Sequence, residues 1–152
     1  IGYDDHEWYP HPDHLRIHDL SEAVFVAAAD PDRFPDAGEP WAARRLYAPA
    51  FSLKRIRTLG QAMADRGLDS PFDRWLAGID PEAVDPPLTH VDVGRYLERA
   101  RSALRAHHTQ IDPDGPWFQI PANVIVEVYP YEDFELMASR DDAPAEGAEL
   151  IA

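Results

Sequence analysis

The sequence predicts an α/β layer fold with an incomplete sheet. Apolar residues recur at helical spacing in three long segments, and three short runs carry strand character. The two kinds alternate along the chain, with Pro- and Gly-rich turns between them. At 152 residues there is enough chain for one domain with a real core, and too little to make two an attractive reading. A hydrophobic content of 45% with 11% aromatics argues against a wholly disordered chain. Because every strand candidate is short, no large sheet is expected from these residues alone.

The chain opens on Ile1, not Met, and Ile1-Gly2-Tyr3-Asp4-Asp5 looks like a strand running out into a loop. A domain that starts at a strand exit is expected to lack an upstream part. The first helix is expected from Pro12 to near Ala29. Proline at the first helical position loses nothing by lacking an N–H, and Asp13 suits the positive end of the helix dipole. Ile17, Leu20, Ser21, Val24, Phe25 and Ala28 fall on one broad face with His14 and His18, opposite Arg16, Asp19 and Glu22. Residues 30–40 hold three prolines and a glycine and read as a loop.

Arg45 to Ala48 is a short strand candidate that Pro49 is expected to stop. Ser52 is placed to cap a helix reaching about Arg66, with Gly67 at its end. Ser70-Pro71 opens a shorter helix carrying Phe72, Trp75 and Leu76. Leu88 to Val93 alternates as a half-buried strand does. Gly94 to about His108 is expected to be helical, with Tyr96, Leu97, Ala100 and Leu104 inward. Ile111 to Pro121 reads as irregular, Asn123 to Tyr129 fits strand or helix equally, and Phe134 to Ala138 reads as a closing strand. The acidic, Ala- and Pro-rich stretch from Asp141 is expected to be disordered. No internal repeat is visible.

Composition excludes several chemistries. There is no cysteine, so disulfides and thiolate metal sites are ruled out and any metal must take His, Asp or Glu. The net charge of −14 disfavours nucleic acid or an anionic membrane as partner. Residues 1–40 hold ten acidic and two basic side chains, residues 41–110 eight and eleven, and residues 111–152 ten and one. The mildly basic middle reads first as solvated helix surface and second as a face for an anionic substrate. No apolar run approaches the ~20 residues that span a bilayer, and no signal peptide is recognisable, so a cytoplasmic location is expected.

Four of the seven histidines, His6, His11, His14 and His18, fall within 13 residues. Imidazole is the commonest metal ligand when thiolates are absent. His14 and His18 lie one helical turn apart, so by geometry they form the ligand pair, with His6 or His11 as a third. Asp13 and Asp19 are candidates to fix a ring's tautomer. The competing reading is plain: helical histidines four apart are often ordinary surface or core-edge residues.

Tyr9-Pro10-His11-Pro12-Asp13-His14, followed by a helix, resembles the second signature of the PIG-L-type (LmbE-like) zinc deacetylases, which remove acyl groups from amino sugars and related amides. Arg33 to Trp41, Leu46-Tyr47 and Leu104 to Pro113 resemble the actinobacterial branch acting on mycothiol. Pro130 to Leu136 favours the side of that branch that cleaves mycothiol conjugates over the biosynthetic deacetylases. The likeness runs over about residues 1–140. It implies the C-terminal part of a single Rossmann-like deacetylase domain, with residues 141–152 as a tail and the N-terminal half absent.

Carried over position by position, the resemblance makes His14 the zinc ligand and His11 the group that stabilises the oxyanion and acts as general acid. Asp13 matches the carboxylate that orients that imidazole, and Tyr9 matches a tyrosine that assists transition-state stabilisation. His18 then drops to a packing residue or one that supports the ligands from behind. The other two zinc ligands and the general-base Asp belong to a His-Pro-Asp-Asp type motif of the family's first half. Asp30-Pro31-Asp32 and Asp112-Pro113-Asp114 lack its histidine, so that motif is not in this sequence. The implied activity is Zn2+-dependent cleavage of a mycothiol conjugate to a mercapturic acid and glucosaminyl-inositol, with this chain inactive alone. Two alternatives stay open, an amino-sugar deacetylase and a non-catalytic truncated or binding chain. His107 and Gln110 fall in a matching segment whose role does not follow from the residues. Trp8, Trp41, Trp117 and Phe118 suit either a sugar pocket or, more readily, the core.

Overall fold

A computed structural model of the protein describes residues 1–4 and 11–141. His6, Trp8 and Tyr9 lie outside the described residues, as does the acidic stretch beyond Asp141. The elements are α1 (Pro12–Ala27), β1 (Arg45–Ala50), α2 (Leu53–Ala64), α3 (Asp73–Leu76), β2 (Leu88–Asp92), a 3-10 turn (Gly94–Tyr96), α4 (Leu97–Arg105), α5 (Pro116–Gln119), α6 (Ala122–Val128) and β3 (Tyr131–Ser139). This is a small α/β architecture, as the alternation predicts. The backbone divides into two compact units. One takes residues 1–50, 87–90 and from 133 on, and the other residues 51–86 and 91–132.

The sheet has the order β1-β3-β2, with β1 and β3 antiparallel. The predicted closing strand is therefore the central one. Its partner β1 runs on through Pro49, which pairs with Phe134. The expected stop fails because β1 is an edge strand, where a residue without an N–H breaks no ladder. The register slips between Leu46 and Tyr47, whose partners are Ala138 and Leu136, so β3 carries an extra residue there. Leu46, Tyr47, Ala48 and Phe134 are buried. At the far end Asp141 accepts hydrogen bonds from Arg44 (3.3 Å) and from Arg45 Nε (3.0 Å). Burial pushes the Asp141 carboxyl up, but the hydrogen bonds and charges of Arg44 and Arg45 outweigh it and hold the group below its ordinary value.

The second unit is built on α2. Ile56, Leu59, Gly60 and Met63 recur at helical spacing and are buried. Leu59, Ala62 and Met63 pack with Ile120, Val124, Ile125 and Tyr129. The segment that sequence pattern left undecided is thus the helix α6, because α2 offers it a helix face rather than a strand edge. The Ser52 hydroxyl accepts from the Arg55 N–H (3.1 Å), as its cap position predicts. Asp85 completes the cap by accepting from the N–H groups of Leu53 (2.6 Å) and Lys54 (2.9 Å). Gly67, at φ +67°, ends the turn after α2, where a side chain would be strained.

In α4 the expected inward face is only partly right. Leu97 and Leu104 are half-buried, whereas Tyr96 and Ala100 are exposed. The residue α4 buries is Arg101. Its guanidinium donates to the carbonyls of Ile120 (3.0 Å) and Phe118 (3.2 Å), which compensates the charge for leaving water.

Candidate functional site

The histidine cluster is set by the start of α1. His11 is the N-cap residue, in extended backbone conformation, and its Nδ1 accepts from the Asp13 N–H at 3.2 Å. A histidine seldom fills this role, which needs a side-chain acceptor two residues before the N–H it serves. The bond has a chemical consequence. A nitrogen that accepts carries no proton, so the neutral ring bears its hydrogen on Nε2, available to donate. Asp13 therefore acts on His11 through its backbone. Its carboxylate stays 4.0 Å from Nδ1 and lies largely in solvent. The resemblance leads one to expect that carboxylate on the ring; at 4.0 Å it makes no hydrogen bond to Nδ1, which the Asp13 N–H occupies instead.

His14 follows one turn later. Its ring centroid is 5.2 Å from that of His11 and 4.4 Å from that of Tyr3. Tyr3 is fixed in turn. The Gly2 N–H donates to the Tyr47 carbonyl of β1 (2.7 Å), and His18 Nδ1 is 3.0 Å from the Tyr3 carbonyl. A Cβ on Gly2 would come within 2.4 Å of the Ser21 hydroxyl oxygen, so only glycine lets residues 1–4 lie this close to α1. His18 thus faces backbone rather than the ring of His14. The His14–His18 pairing suggested by spacing gives way to a His11–His14 pairing, because His18 is taken up in holding Tyr3.

His11, Asp13 and His14 are brought together, and Tyr9 and His6 lie outside the described residues. Among the described residues no group of three His, Asp or Glu side chains is placed to hold a metal ion. Among the described residues the donor set therefore falls short of a three-ligand zinc site. His107 and Gln110 sit in the turn after α4, where the Gln110 N–H donates to the His107 carbonyl (2.9 Å). Trp41 and Trp117 are exposed and so are not core residues of the described structure.

Sequence reasoning missed one pair with chemical character. His90 Nδ1 lies 2.6 Å from the Asp133 carboxylate, whose side chain is fully buried while the imidazole is 40% exposed. The residues are 43 apart and join only because β2 and β3 are neighbours. No local signal marks either one.

Over nearly its whole length the chain is similar to known actinobacterial proteins. It is 39% identical to the mycothiol S-conjugate amidase of Streptomyces coelicolor, over 99% of this chain and 53% of that relative. It is 37% identical to a 1D-myo-inositol 2-acetamido-2-deoxy-alpha-D-glucopyranoside deacetylase of Thermobispora bispora, over 91% of this chain and 45% of the relative. A deacetylase of the same name from Thermobifida fusca is 36% identical over 90% and 47%. The chain spans about half the length of these relatives. No protein-family model and no solved structure matches it. No helix among the described residues is long and apolar enough to cross a membrane.

Proposed function

We propose that this chain is one part of a zinc-dependent amide hydrolase of the LmbE/PIG-L type, acting in the whole protein on mycothiol conjugates. The observation that carries the reading is the 39% identity to the Streptomyces coelicolor amidase over 99% of the chain. The pairing of His11 with His14 at the start of α1 supports it.

His14 is the residue of this chain that would hold zinc. Further ligands would come from the part of the relatives' length that the chain does not span. A bound zinc ion polarises an amide carbonyl and lowers the pKa of bound water. His11, with its hydrogen on Nε2, donates to the oxyanion that forms when water adds to the amide carbon. The proton that the attacking water gives up, taken by a base in the part of the relatives' length that the chain does not span, passes to the nitrogen as the C–N bond breaks. Asp13 keeps that tautomer by occupying Nδ1 with its N–H, and Tyr9 assists at the same oxyanion. The isolated chain is inactive, because one imidazole does not hold zinc against water. A cytoplasmic location suits a small-molecule substrate of this kind.

The deacetylases are almost as similar, at 36–37% identity, and give the second reading, hydrolysis of an N-acetyl amino sugar. Both readings are tested by combining the chain with the portion of the Streptomyces coelicolor relative that it does not span. Zinc is then measured, and amine release is followed from a mycothiol conjugate and from N-acetylglucosaminyl-inositol side by side. Zinc uptake with faster release from the conjugate supports the first reading. Faster release from the acetamido sugar supports the second, and release from neither defeats both.

A further inference from the structure

His90 and Asp133 belong to the first unit, together with α1, β1 and residues 1–4. The course of the chain shows which end of that unit they occupy. Ile1 shares a cavity wall with Arg45 and Leu46 at the start of β1 and with Val24 and Phe25 of α1. The Gly2 N–H then donates to the Tyr47 carbonyl, and a Cβ on Gly2 would meet Ser21. Tyr3 lies against His18 and His14. Residues 1–4 therefore run in the same direction as β1, toward Ala50, and opposite to α1, toward His11. Ala50 pairs with Asp133, and Asp133 holds His90 at 2.6 Å. The His90–Asp133 pair and the His11–His14 pair thus stand at the same end of the unit. Residues 1–4, β1, β3 and β2 follow one another across it, and three strand spacings put the strand of His90 ~14 Å from residues 1–4. The two imidazoles are too far apart to serve one atom, and they suit two parts of an extended substrate.

The His90–Asp133 pair has a defined polarity. A carboxylate oxygen only accepts, so the Nδ1 that faces Asp133 carries the hydrogen and the neutral ring presents Nε2 as an acceptor. The Asp133 side chain is fully buried and fixes the ring from behind, while the imidazole itself is 40% exposed. His11 has the opposite tautomer, because its Nδ1 accepts from the Asp13 N–H. One imidazole at this end gives a hydrogen bond and the other takes one. We propose that His90 accepts a hydrogen bond from a hydroxyl of the substrate, in its amino sugar or its cyclitol, and that Asp133 positions the imidazole to do so. The proposal rests on the reading of the chain as part of an amide hydrolase for mycothiol conjugates or N-acetylglucosaminyl-inositol. An oxyanion repels the lone pair on Nε2, and an aliphatic or thioether group offers it no donor. Hydroxyls are the donors that such a substrate carries away from its amide. His90 is thus a specificity residue, which selects polyhydroxylated amides and takes no part in breaking the C–N bond.

Two measurements test it. Proton–nitrogen NMR spectra of the full chain, labelled at its histidines, report the tautomer of each ring. Hydrogen on Nδ1 of His90 is expected, and hydrogen on Nε2 overturns the proposal. The chain combined with the portion of the Streptomyces coelicolor relative that it does not span is then titrated with N-acetylglucosaminyl-inositol, N-acetylglucosamine and myo-inositol. His90→Ala is expected to bind the first ~3- to 10-fold more weakly, the loss of one neutral hydrogen bond. The fragment whose binding weakens alike tells sugar from cyclitol. His90→Gln, whose amide oxygen reaches the position of Nε2, is expected to recover most of the affinity, and circular dichroism shows that both variants are folded. Where amine is released, the Ala variant is expected to raise KM and leave kcat unchanged. No binding by the wild-type complex, equal binding by His90→Ala, or no recovery in His90→Gln overturns the proposal. The two readings fail separately. A complex that binds the glycoside through His90 yet releases no amine keeps this site and removes the hydrolase. Amine release with a KM indifferent to His90 does the reverse.

Discussion

Replacing His11 by Ala separates the structural role of this imidazole from its chemical one. The side chain serves the Asp13 N–H through a 3.2 Å bond, at a residue whose side chain is 47% exposed. Loss of an N-cap acceptor costs ~0.5–2 kcal/mol, and a long, half-exposed bond belongs at the low end, about 1 kcal/mol or less. Because α1 buries no residue, the loss is expected as local opening of its first turn and not as global unfolding. Amide hydrogen exchange of Asp13, His14 and Leu15 reads this directly, and 1 kcal/mol corresponds to about fivefold faster exchange. His11→Asn restores an N-cap acceptor and is expected to restore slow exchange while leaving the ring chemistry absent. Unchanged exchange in the Ala variant, or no recovery in the Asn variant, would refute the capping role and with it the assignment of the hydrogen to Nε2.

Three further outcomes follow from the same kind of reasoning. His90→Ala takes a 2.6 Å partner from the fully buried Asp133 carboxylate, so urea unfolding is expected to show a loss of ~1–3 kcal/mol. His90→Ala with Asp133→Asn is expected to be milder than the single change, and a harsher double variant contradicts the pairing. Arg101→Met keeps the stem but abandons the Ile120 and Phe118 carbonyls; a loss of ~2–4 kcal/mol is expected by the same assay, and less than 1 would contradict it. Asp141 is held below its ordinary value of 3.8 by Arg44 and Arg45. A lowered folded value means that its contribution is complete above 3.8 and is lost as pH falls through the lowered value. An NMR titration is expected to place its midpoint below 3.8, and above it once both arginines become Ala, since burial alone pushes the group up.

Much of the fold was readable where the determinant is local. Pro12 at the first helical position, Ser52 as a cap and Gly67 as a stop each act within a few residues, and α1 and α2 begin and end close to where these put them. What depended on tertiary placement was not readable. Pro49 stops a strand only if its N–H position is needed, and the edge position of β1 removes the need. Residues 123–129 are apolar at too many positions for either period to stand out. Arg101 is buried by carbonyls 17 and 19 residues away. In the candidate site, His11, Asp13 and His14 are neighbours because they share one helix turn. Helical spacing alone paired His18 with His14, and it could not show the Tyr3 carbonyl beside His18, which comes from outside that helix.

The most direct test of the account is the rate of amide release from a mycothiol conjugate by this chain combined with the complementary portion of the Streptomyces coelicolor relative. Wild type, His14→Ala and His11→Asn are compared, with the three complexes shown to form equally. The account predicts turnover in the wild-type complex, none in His14→Ala together with loss of its zinc, and a fall of roughly 10²–10³-fold in kcat for His11→Asn with zinc retained. Turnover that survives His14→Ala, or a wild-type complex that binds zinc and releases no amine, would contradict it.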